Sequence, residues 1–420
     1  MATFVESPVC YRSAESEPAG GIRYVARQPI LDLRGKVHGY ELLFRHGTEA
    51  VFGADGDLAT RTMLDNTVLF GLERLTSGSP AFINCTAESL TGNLVHVLPS
   101  GMTVLEILET IEPSRAVVNA CRRLKAAGYR LALDDFTWRP GIEPLVELAD
   151  YVKVDFALTN AMDRRRLHER LSGVTVALVA EKVETQDEFS HARDEGFTLI
   201  QGYYFCRPML MENREVPANR LSQIEILRLL RGDSIDLKKL AHLVKRDTSL
   251  TYRLLRLINS PMCAMQREVR SVQAALIAVG EETFRRLATL AITSELNAGQ
   301  PMELLRMAFV RARFCELGTA LCGLDGTEQY LLGLLSLLPA MMRIPVKELT
   351  PGLPLREEIR RALEGEALPE RALLCWLEGH ERGDWVACDL VAEGIMLNMD
   401  DLQRCYEEAV EWAEAALRFA

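Results

Sequence analysis

The chain has 420 residues and a mass of 47.0 kDa, a length that predicts two domains rather than one. Its formal net charge of −11 at pH 7 argues against broad binding to nucleic acid or another polyanion. No apolar run approaches the roughly 20 residues that span a bilayer, and the first ten residues lack the pattern of a signal peptide. We therefore expect a cytoplasmic protein without a membrane anchor, in which residues 1–21 form a flexible tail.

Ten cysteines are spread along the chain without a C-x-x-C pair. Those in largely apolar stretches are Cys85, Cys121, Cys206, Cys315, Cys322, Cys375 and Cys388. Zinc sites use paired ligands, and structural disulfides belong to oxidising compartments. We expect reduced, mostly buried thiols.

Short apolar segments alternate with helix-like stretches from residue 22 to residue 208. The segments with the Val, Ile and Leu content of covered strands are 24–31, 80–85, 102–108, 130–136, 151–156, 176–183 and 199–205. Helices are predicted near 57–76 and 112–128. The alternation predicts a parallel sheet, and the number of repeats predicts a TIM-like (β/α)₈ barrel over 22–210. An open doubly wound sheet fits less well because the chain has no G-x-G-x-x-G.

The character of the sequence changes after Pro208. Residues 211–220 are polar and are predicted as a linker. From 221 to 420 apolar residues follow the helical period; the stretch 401–419, for example, forms one apolar stripe. This half is predicted to be an all-α domain.

Polar residues stand at or near the ends of the predicted strands. They are Glu41, Asn84, Glu106, Asp134, Asp135, Lys153, Glu181, Glu184 and Gln201. An isolated carboxylate at a strand end is usually a turn former or a helix cap. In a barrel, however, the carboxyl ends of the strands converge on one mouth, where catalytic residues collect.

Converging carboxylates need a compensating cation, and oxygen ligands suit Mg²⁺ or Mn²⁺. Two metal ions about 3.5–4 Å apart could activate a water for in-line attack at phosphorus. Lys153 would then hold the water or a phosphate oxygen, and Asp134 would bridge the metals.

The motifs along the first half occur in a fixed order: R-Q-P-I-L-D-L, E-L-L-F-R, F-I-N-C-T, L-E-I-L-E, L-D-D-F, V-K-V-D, A-E-K-V-E and Q-G-Y-Y-F-C-R-P. With this set, residues 22–208 resemble the EAL family of cyclic di-GMP phosphodiesterases. The resemblance implies hydrolysis of cyclic di-GMP to a linear dinucleotide.

The same resemblance implies roles for particular residues. The first metal would be held by Glu41, Asn84, Glu106 and Asp134. The second would be served by Asp134, Asp135 and Glu181. Lys153 would orient the water, Glu184 and Gln201 would complete the site, and Arg45 and Gln28 would contact the substrate.

Three places depart from the family pattern. The glycine-rich loop that follows D-D-F in the family is replaced by T-W-R-P-G-I-E-P-L at 137–145, which is stiffer and bulkier. Lys182 stands where the family has Gly, and Leu108 where it has Thr. Changes in the groups that support metal ligands commonly cost roughly 10–100-fold in metal affinity or activity.

The stretches 247–261 and 269–288 resemble the HDOD family, all-helical relatives of HD phosphohydrolases that act as signalling or scaffolding modules. The resemblance places Ser336 and Leu337 where HD enzymes carry a metal-binding His-Asp pair, which implies that this half has no metal cofactor. No partner ligand is spaced to join His242 or His380, so both are expected to be satisfied surface or core residues.

The two resemblances together imply a bacterial signalling protein, and three functions stay open. The first is a divergent barrel that is weak or inactive as an enzyme and can bind cyclic di-GMP, joined to an HDOD domain that binds a protein partner. The second is an active Mg²⁺- or Mn²⁺-dependent cyclic di-GMP phosphodiesterase regulated by the HDOD domain. The third is a nucleotide-independent scaffold. An oligomer is compatible with all three. The basic clusters at 163–170 and 281–286 also carry acidic residues and are interpreted as solvated helix faces.

Overall fold

A computed structural model describes the chain over 23–46, 72–92, 94–206, 226, 248–260, 263, 265, 269–297, 299–350, 353 and 355–418. The predicted tail at 1–21, the predicted linker at 211–220 and His242 lie outside these residues. The described ranges nevertheless contain the strand ends on which the predicted site depends.

Within the described residues, eight strands close a barrel in the order of the chain. They are β1 (Arg23–Asp32), β2 (Val37–His46), β3 (Ala81–Cys85), β4 (Thr103–Ile107), β5 (Arg130–Leu133), β6 (Tyr151–Asp155), β7 (Ala177–Glu181) and β8 (Leu199–Gln201). The pairs from β2 to β8 are parallel. The predicted barrel class is confirmed.

The first strand departs from the predicted parallel arrangement. β1 pairs antiparallel with both β2 and β8, and β2 was not among the predicted strands. The turn between β1 and β2 has only four residues, and its Asp32 carboxylate accepts the backbone N–H groups of Arg34 and Lys36 at 2.9 and 2.8 Å. A connection this short joins antiparallel neighbours, because a parallel crossover needs a dozen residues or more.

Helices follow most of the strands on the outside of the barrel. They are α1 (Leu72–Thr76), α2 (Ala87–Thr91), α3 (Arg115–Ala126), α4 (Glu143–Val146), α5 (Ala161–Leu171) and α6 (Gln186–Asp194). Side-chain caps begin several of them: Ser114 accepts from Val117 at the start of α3, and Thr185 and Glu188 form a capping box at α6. These caps fix where each strand–helix loop ends.

The second half is helical throughout its described residues. Its helices are α7 (Thr248–Ile258), α8 (Val272–Val279), α9 (Glu281–Leu296), α10 (Met302–Cys322), α11 (Gly326–Leu335), α12 (Leu338–Met342), α13 (Val346–Leu349), α14 (Glu357–Leu363), α15 (Ala372–Arg382), α16 (Trp385–Gly394) and α17 (Met399–Leu417). Trp376 of α15 stacks on Phe314 of α10, with ring centroids 5.2 Å apart. The predicted all-α half is confirmed.

The two halves share one apolar core, in which buried residues of the barrel and of the helices form a continuous cluster. Nine cysteines in the described ranges are free thiols, and Cys85, Cys121, Cys315 and Cys388 are buried. Cys206, Cys322 and Cys375 are half-buried rather than buried. Every helix in the described ranges is too short or too polar to cross a bilayer.

Candidate active site

The inner wall of the barrel carries two layers of side chains. The lower layer is apolar and consists of Ile30, Phe82, Val104, Ala132, Tyr151, Val179 and Leu199, with Ala177 packed against it. The polar residues Asn84, Glu106, Asp134, Lys153, Glu181 and Gln201 each stand two positions after a residue of that layer. Side chains two residues apart on a strand point to the same face, so the polar groups lie in one layer next to the apolar layer.

Lys153 lies at the centre of this polar layer. Its side chain is fully buried, and its Nζ is 2.7 Å from both Glu106 Oε1 and Asp134 Oδ1. The same Nζ is 2.9 Å from Glu181 Oε1 and 3.0 Å from Glu41 Oε2. Four carboxylates contributed by or next to β2, β4, β5 and β7 therefore meet one ammonium group from β6.

Three amide side chains complete one edge of the layer. Gln201 Nε2 donates to Glu41 Oε2 at 2.7 Å and to Gln28 Oε1 at 3.1 Å. Asn84 Nδ2 donates to Glu41 Oε1 at 3.3 Å. Gln28 is also the backbone register partner of Glu41 across the β1–β2 pair. Glu41 is thus held from both sides.

The charges in this layer do not balance, and the pKa values reflect the excess. Burial, together with repulsion from Glu41, raises the pKa of Glu106 well above its usual value. Burial likewise raises the pKa of Asp134, and raises that of Glu181 to about 8. Burial acts in the same direction on Glu41, but Lys153 and the amide hydrogen bonds outweigh it, so the pKa of Glu41 is lowered. These shifts mean that a further cation beside the carboxylates would stabilise their charged forms.

The donor set fits a hard divalent cation. Buried oxygens without a hydrogen-bond partner include Asn84 Oδ1, Glu106 Oε2, Asp135 Oδ1, Glu181 Oε2 and Gln201 Oε1. Carboxylate and amide oxygens of this kind are the ligands that Mg²⁺ and Mn²⁺ prefer. In the described ranges, no group of three acidic, histidine or cysteine side chains has the geometry to hold a metal ion. Lys153 Nζ instead occupies the centre of the cluster. A metal would require that this ammonium group moves aside.

Asp135 lies outside the Lys153 cluster and faces a second lysine. Lys182 Nζ is 3.7 Å from Asp135 Oδ1 and 2.5 Å from Asp155 Oδ2. Asp135 and Lys182 both have left-handed backbones, with φ of 38° and 55°. This conformation favours glycine, the residue that the EAL pattern has at position 182. Lys182 therefore places a positive charge beside the predicted ligand of the second metal.

The side chains of Trp138 and Arg139 hold the loop at 137–145 against neighbouring segments. Trp138 packs edge-to-face on Phe136, with centroids 6.2 Å apart, and the Arg170 guanidinium lies 5.0 Å from its ring centroid. Arg139 donates to the backbone carbonyl of Ile111. Leu108, Asp134 and Arg139 help line a small cavity beneath this loop. Trp138 and Arg139 are half-buried in these contacts, whereas Thr137, Pro140 and Gly141 of the same loop are exposed.

Two predicted site residues, Glu184 and Arg45, are placed by their backbones. Glu184 lies in the turn before α6, where its backbone N–H donates to Glu188 Oε2 at 2.7 Å. The backbone of Arg45 pairs with Tyr24, but its side chain lies outside the described residues. Their catalytic and phosphate-binding roles stay predictions.

In the helical half, Ser336 lies beside an arginine. Arg311 Nη1 donates to Ser336 Oγ at 3.1 Å, and Arg311 forms a two-pronged ion pair with Glu381 at 3.0 and 2.6 Å. Leu337 is buried in the core. His380 is a core residue, as expected: it stacks on Trp376 and its Nε2 bonds Gln403 at 3.1 Å. Its buried Nδ1 has no hydrogen-bond partner, so the prediction of a fully satisfied histidine is wrong on that side of the ring.

Sequence reasoning missed one residue of the site. Asp155 ends β6, its Oδ1 accepts the N–H groups of Ala157 and Leu158 at 2.9 Å each, and its Oδ2 binds Lys182. The motif V-K-V-D contains it, but nothing in the motif alone reveals that Lys182 reaches it. Lys182 reaches Asp155 because its backbone, directly after β7, is left-handed.

Both halves of the chain are similar to known protein families. The family profile of the EAL domain matches residues 59–208, and that of the HDOD domain matches residues 217–343. Uncharacterized protein YuxH of Bacillus subtilis is 32% identical over 400 residues, covering 93% of this chain and 97% of the relative. Cyclic di-GMP phosphodiesterase CdgJ of Vibrio cholerae is 32% identical over 401 residues, covering 93% and 92%.

Among solved structures, the PaMucR phosphodiesterase in complex with c-di-GMP is 21% identical, covers 43% of this chain and 94% of its own, and has a TM-score of 0.38. The assignment rests instead on the relatives that match almost end to end and on the two domain profiles. EAL domains are generally divalent-metal-dependent phosphodiesterases. The chain belongs to the family of two-domain proteins in which an EAL barrel is followed by an HDOD domain.

Proposed function

We propose that this protein is a signalling protein whose barrel binds cyclic di-GMP with Mg²⁺ or Mn²⁺ and hydrolyses it slowly or not at all, while its HDOD half binds a protein partner. The observation that carries the proposal is the cluster around Lys153, where four carboxylates lie within 3.0 Å of one ammonium group. This excess of negative charge suits a divalent cation and, through it, a phosphate diester.

The relative from Vibrio cholerae supports the choice of substrate, because its name gives it as a cyclic di-GMP phosphodiesterase. That protein and this chain match over both halves. The same nucleotide is therefore the first ligand to test here.

Each part of the cluster has a task in this chemistry. The metal ions, held by Glu41, Asn84, Glu106 and Asp134 and by Asp134, Asp135 and Glu181, would supply positive charge that polarises the phosphate and lowers the pKa of a water. Lys153 would donate hydrogen bonds to the attacking water or to a phosphate oxygen. The water oxygen would bond to phosphorus and give a proton to a neighbouring carboxylate. One P–O ester bond would break, and the ribose oxygen that leaves would take up a proton. The product is a linear dinucleotide.

Two features of this chain support slow turnover. Lys182 lies 3.7 Å from Asp135 and competes there with a second cation. The loop at 137–145 is pinned by Trp138 and Arg139, so it closes over a substrate less readily than a glycine-rich loop. Lys182 acts on the second metal and the loop acts on closure over the substrate. Both leave the ligands of the first metal in place.

A competent phosphodiesterase is the second candidate. It is favoured by the convergence of Glu41, Glu106, Asp134 and Lys153 in one buried layer, which is the more demanding part of such a site. A scaffold that binds no nucleotide is the third, and the same experiment separates all three.

The test is calorimetric titration of cyclic di-GMP into the full chain with Ca²⁺, and a parallel assay for linear product with Mg²⁺ or Mn²⁺. Glu106→Gln, which keeps the shape of a buried ligand but removes its charge, is the matched variant. We expect binding that Glu106→Gln weakens, with little product. Rapid product formation in the unmodified chain would make it a competent enzyme. Absence of binding would overturn the proposal in favour of a scaffold.

A further inference from the structure

The helical half packs closely on the strands at one side of the barrel. A Cβ atom at Gly383, which follows α15, would lie 2.6 Å from Leu43 Cδ1 on β2. A Cβ atom at Gly35, in the β1–β2 turn, would lie 2.9 Å from Pro301 Cγ. At both glycines the backbone lies too close to the other half of the chain to admit a side chain, so the β1–β2 hairpin packs tightly against that half.

Tyr40 of β2 anchors the hairpin to α10. Its side chain is fully buried, and its hydroxyl donates to Glu303 Oε2 at 2.8 Å. Arg306 Nε donates to the same carboxylate oxygen at 3.0 Å, so Glu303 is held in place. The guanidinium of Arg27, on the neighbouring strand, lies 4.9 Å from the centroid of the Tyr40 ring.

Tyr203 anchors the segment after β8 to α15. Its hydroxyl donates to the backbone carbonyl oxygen of Glu381. The carboxylate of Glu381 is in turn held by Arg311 of α10. Gly202 lies between Gln201 and Tyr203, and a Cβ atom there would be 2.2 Å from the Val183 carbonyl oxygen. The chain therefore presses directly on the end of β7 at this point.

The two anchoring tyrosines, and Arg27 that lies over the Tyr40 ring, are each one or two residues away from a polar residue inside the barrel. Arg27 precedes Gln28, Tyr40 precedes Glu41, and Tyr203 follows Gln201 by two positions. On a strand, neighbouring side chains point to opposite faces, so Tyr40 meets the helices and Glu41 meets Lys153. Gln28, Glu41 and Gln201 are also the residues that hydrogen-bond to one another within the barrel.

We infer that Tyr40 and Tyr203 are positioning residues, which use the helical half as a support to hold Glu41 and Gln201 in the metal-binding geometry of the barrel. The inference rests on the proposed function to the extent that the site binds a divalent ion. The helical half is then a structural part of the site as well as a module for partners. Supporting groups of this kind commonly change metal affinity by roughly 10–100-fold when they are removed.

The test compares three tyrosine variants of the full chain. Tyr40→Phe and Tyr203→Phe each delete a hydroxyl that anchors a site strand. Tyr24→Phe is the matched control, because Tyr24 donates to Asp400 Oδ1 at 2.6 Å across the same interface but lies four residues from Gln28. Mn²⁺ affinity is measured by electron paramagnetic resonance, and amide hydrogen exchange is followed in β1 and β2.

We expect Tyr40→Phe and Tyr203→Phe to weaken Mn²⁺ binding about tenfold, and Tyr24→Phe to stay within about twofold of the unmodified chain. Glu303→Gln keeps an oxygen acceptor for Tyr40 and should also stay within about twofold. Amides around Glu41 should exchange faster in Tyr40→Phe than in Tyr24→Phe. A purely structural role would lower thermal stability in all three tyrosine variants without separating their Mn²⁺ affinities.

Unchanged Mn²⁺ affinity in both Tyr40→Phe and Tyr203→Phe would overturn the inference, as would an equal loss in Tyr24→Phe. If the unmodified chain binds no Mn²⁺, the proposed function is wrong about the metal. The rate of amide hydrogen exchange in β1 and β2 then tests the inference by itself. Faster exchange around Glu41 in Tyr40→Phe but not in Tyr24→Phe then supports the positioning role. Equal exchange in the two variants overturns it.

Discussion

Both halves of the protein bury a cation among carboxylates, but the two cations are balanced differently. Lys153 in the barrel contacts four carboxylates. Arg311 in the helical half forms a two-pronged pair with Glu381 and bonds Ser336, with Glu378 Oε1 at 3.6 Å. The arginine arrangement comes close to neutrality, whereas the lysine arrangement keeps several surplus negative charges.

The two sites show how a structural buried charge differs from a functional one. A buried pair with complementary geometry satisfies its own charge and hydrogen bonds, and nothing further is required of solvent or ligand. Burial acts to lower the pKa of Arg311, but Glu381 outweighs it and the pKa is raised. In the barrel, by contrast, burial, together with repulsion between the carboxylates, raises the pKa values of Glu106, Asp134 and Glu181, and Lys153 alone does not offset it. Surplus buried charge therefore marks the place where a cation is to be expected.

The largest predicted effect is on the balanced side of this comparison. Arg311→Met should lower the free energy of unfolding by about 3–5 kcal/mol, because it leaves Glu381 buried without its partner. Chemical denaturation followed by circular dichroism measures the change. Arg311→Lys, which keeps the charge but loses the fork, should cost less. Stability recovered by added Mg²⁺ or Mn²⁺ would contradict the view that this charge is structural.

The corresponding change on the surplus side is Lys153→Met. Any hydrolysis of cyclic di-GMP should fall about 100–1000-fold, because the group that holds the water or a phosphate oxygen is gone. Mn²⁺ affinity should rise, since the competing ammonium no longer occupies the cluster. Product chromatography and Mn²⁺ titration measure the two effects. Weaker Mn²⁺ binding in this variant would break the comparison, because it would make Lys153 a support for the metal rather than a competitor.

A third prediction concerns His380, a buried neutral group in the balanced half. Burial lowers its pKa to about 4 despite the hydrogen bond to Gln403. Below the unfolded pKa of about 6.5 the unfolded chain takes up a proton that the folded chain refuses, so stability falls as pH drops from about 6.5 to about 4. The total loss is about 3 kcal/mol.

The measurement is the pH dependence of thermal unfolding in the unmodified chain and in His380→Gln, with the exposed His96→Gln as a control. On acidification through this window the unmodified chain should lose stability relative to His380→Gln, and above the window the difference between the two should be flat. A constant difference from pH 7 to pH 4 would mean that His380 does not carry the effect.

The smallest predicted effect belongs to Lys182, which lies between the two cases. Lys182→Gly should raise Mn²⁺ affinity about tenfold and raise hydrolysis with it, because it removes a cation beside Asp135. It also relieves a left-handed backbone at φ 55°. Lys182→Gln separates the two causes, since it removes the charge but keeps the strained backbone. If neither variant gains affinity, Lys182 does not obstruct the second metal.

The parallel strand ends could be predicted from the sequence because their signal is local. An apolar run followed by a carboxylate, as in L-A-L-D-D, gives both the strand and the group at its end. The residues of the apolar floor precede the polar layer by two positions, a spacing that sequence periodicity carries directly.

The rest depended on contacts that no local pattern encodes. β2 was missed because V-H-G-Y-E-L-L-F-R mixes polar and apolar residues on a strand whose two faces meet different partners, the barrel interior and the helices. The reach of Lys182 to Asp155 depends on a backbone angle, and the bond from Tyr40 to Glu303 joins residues 263 positions apart. The sequence predicted that Lys153 and the strand-end carboxylates meet at one mouth, but not that Lys153 lies at the centre of four of them or that helices pack behind them.

The shared interface has a consequence for how such genes can recombine. A gene cut after residue 210 would encode a barrel whose Tyr24, Tyr40 and Tyr203 have lost their acceptors on Asp400, Glu303 and Glu381. A barrel exchanged into the chain without these tyrosines would leave the same acceptors without those donors. Although each half has its own fold, these contacts are therefore kept only when the two halves are inherited together.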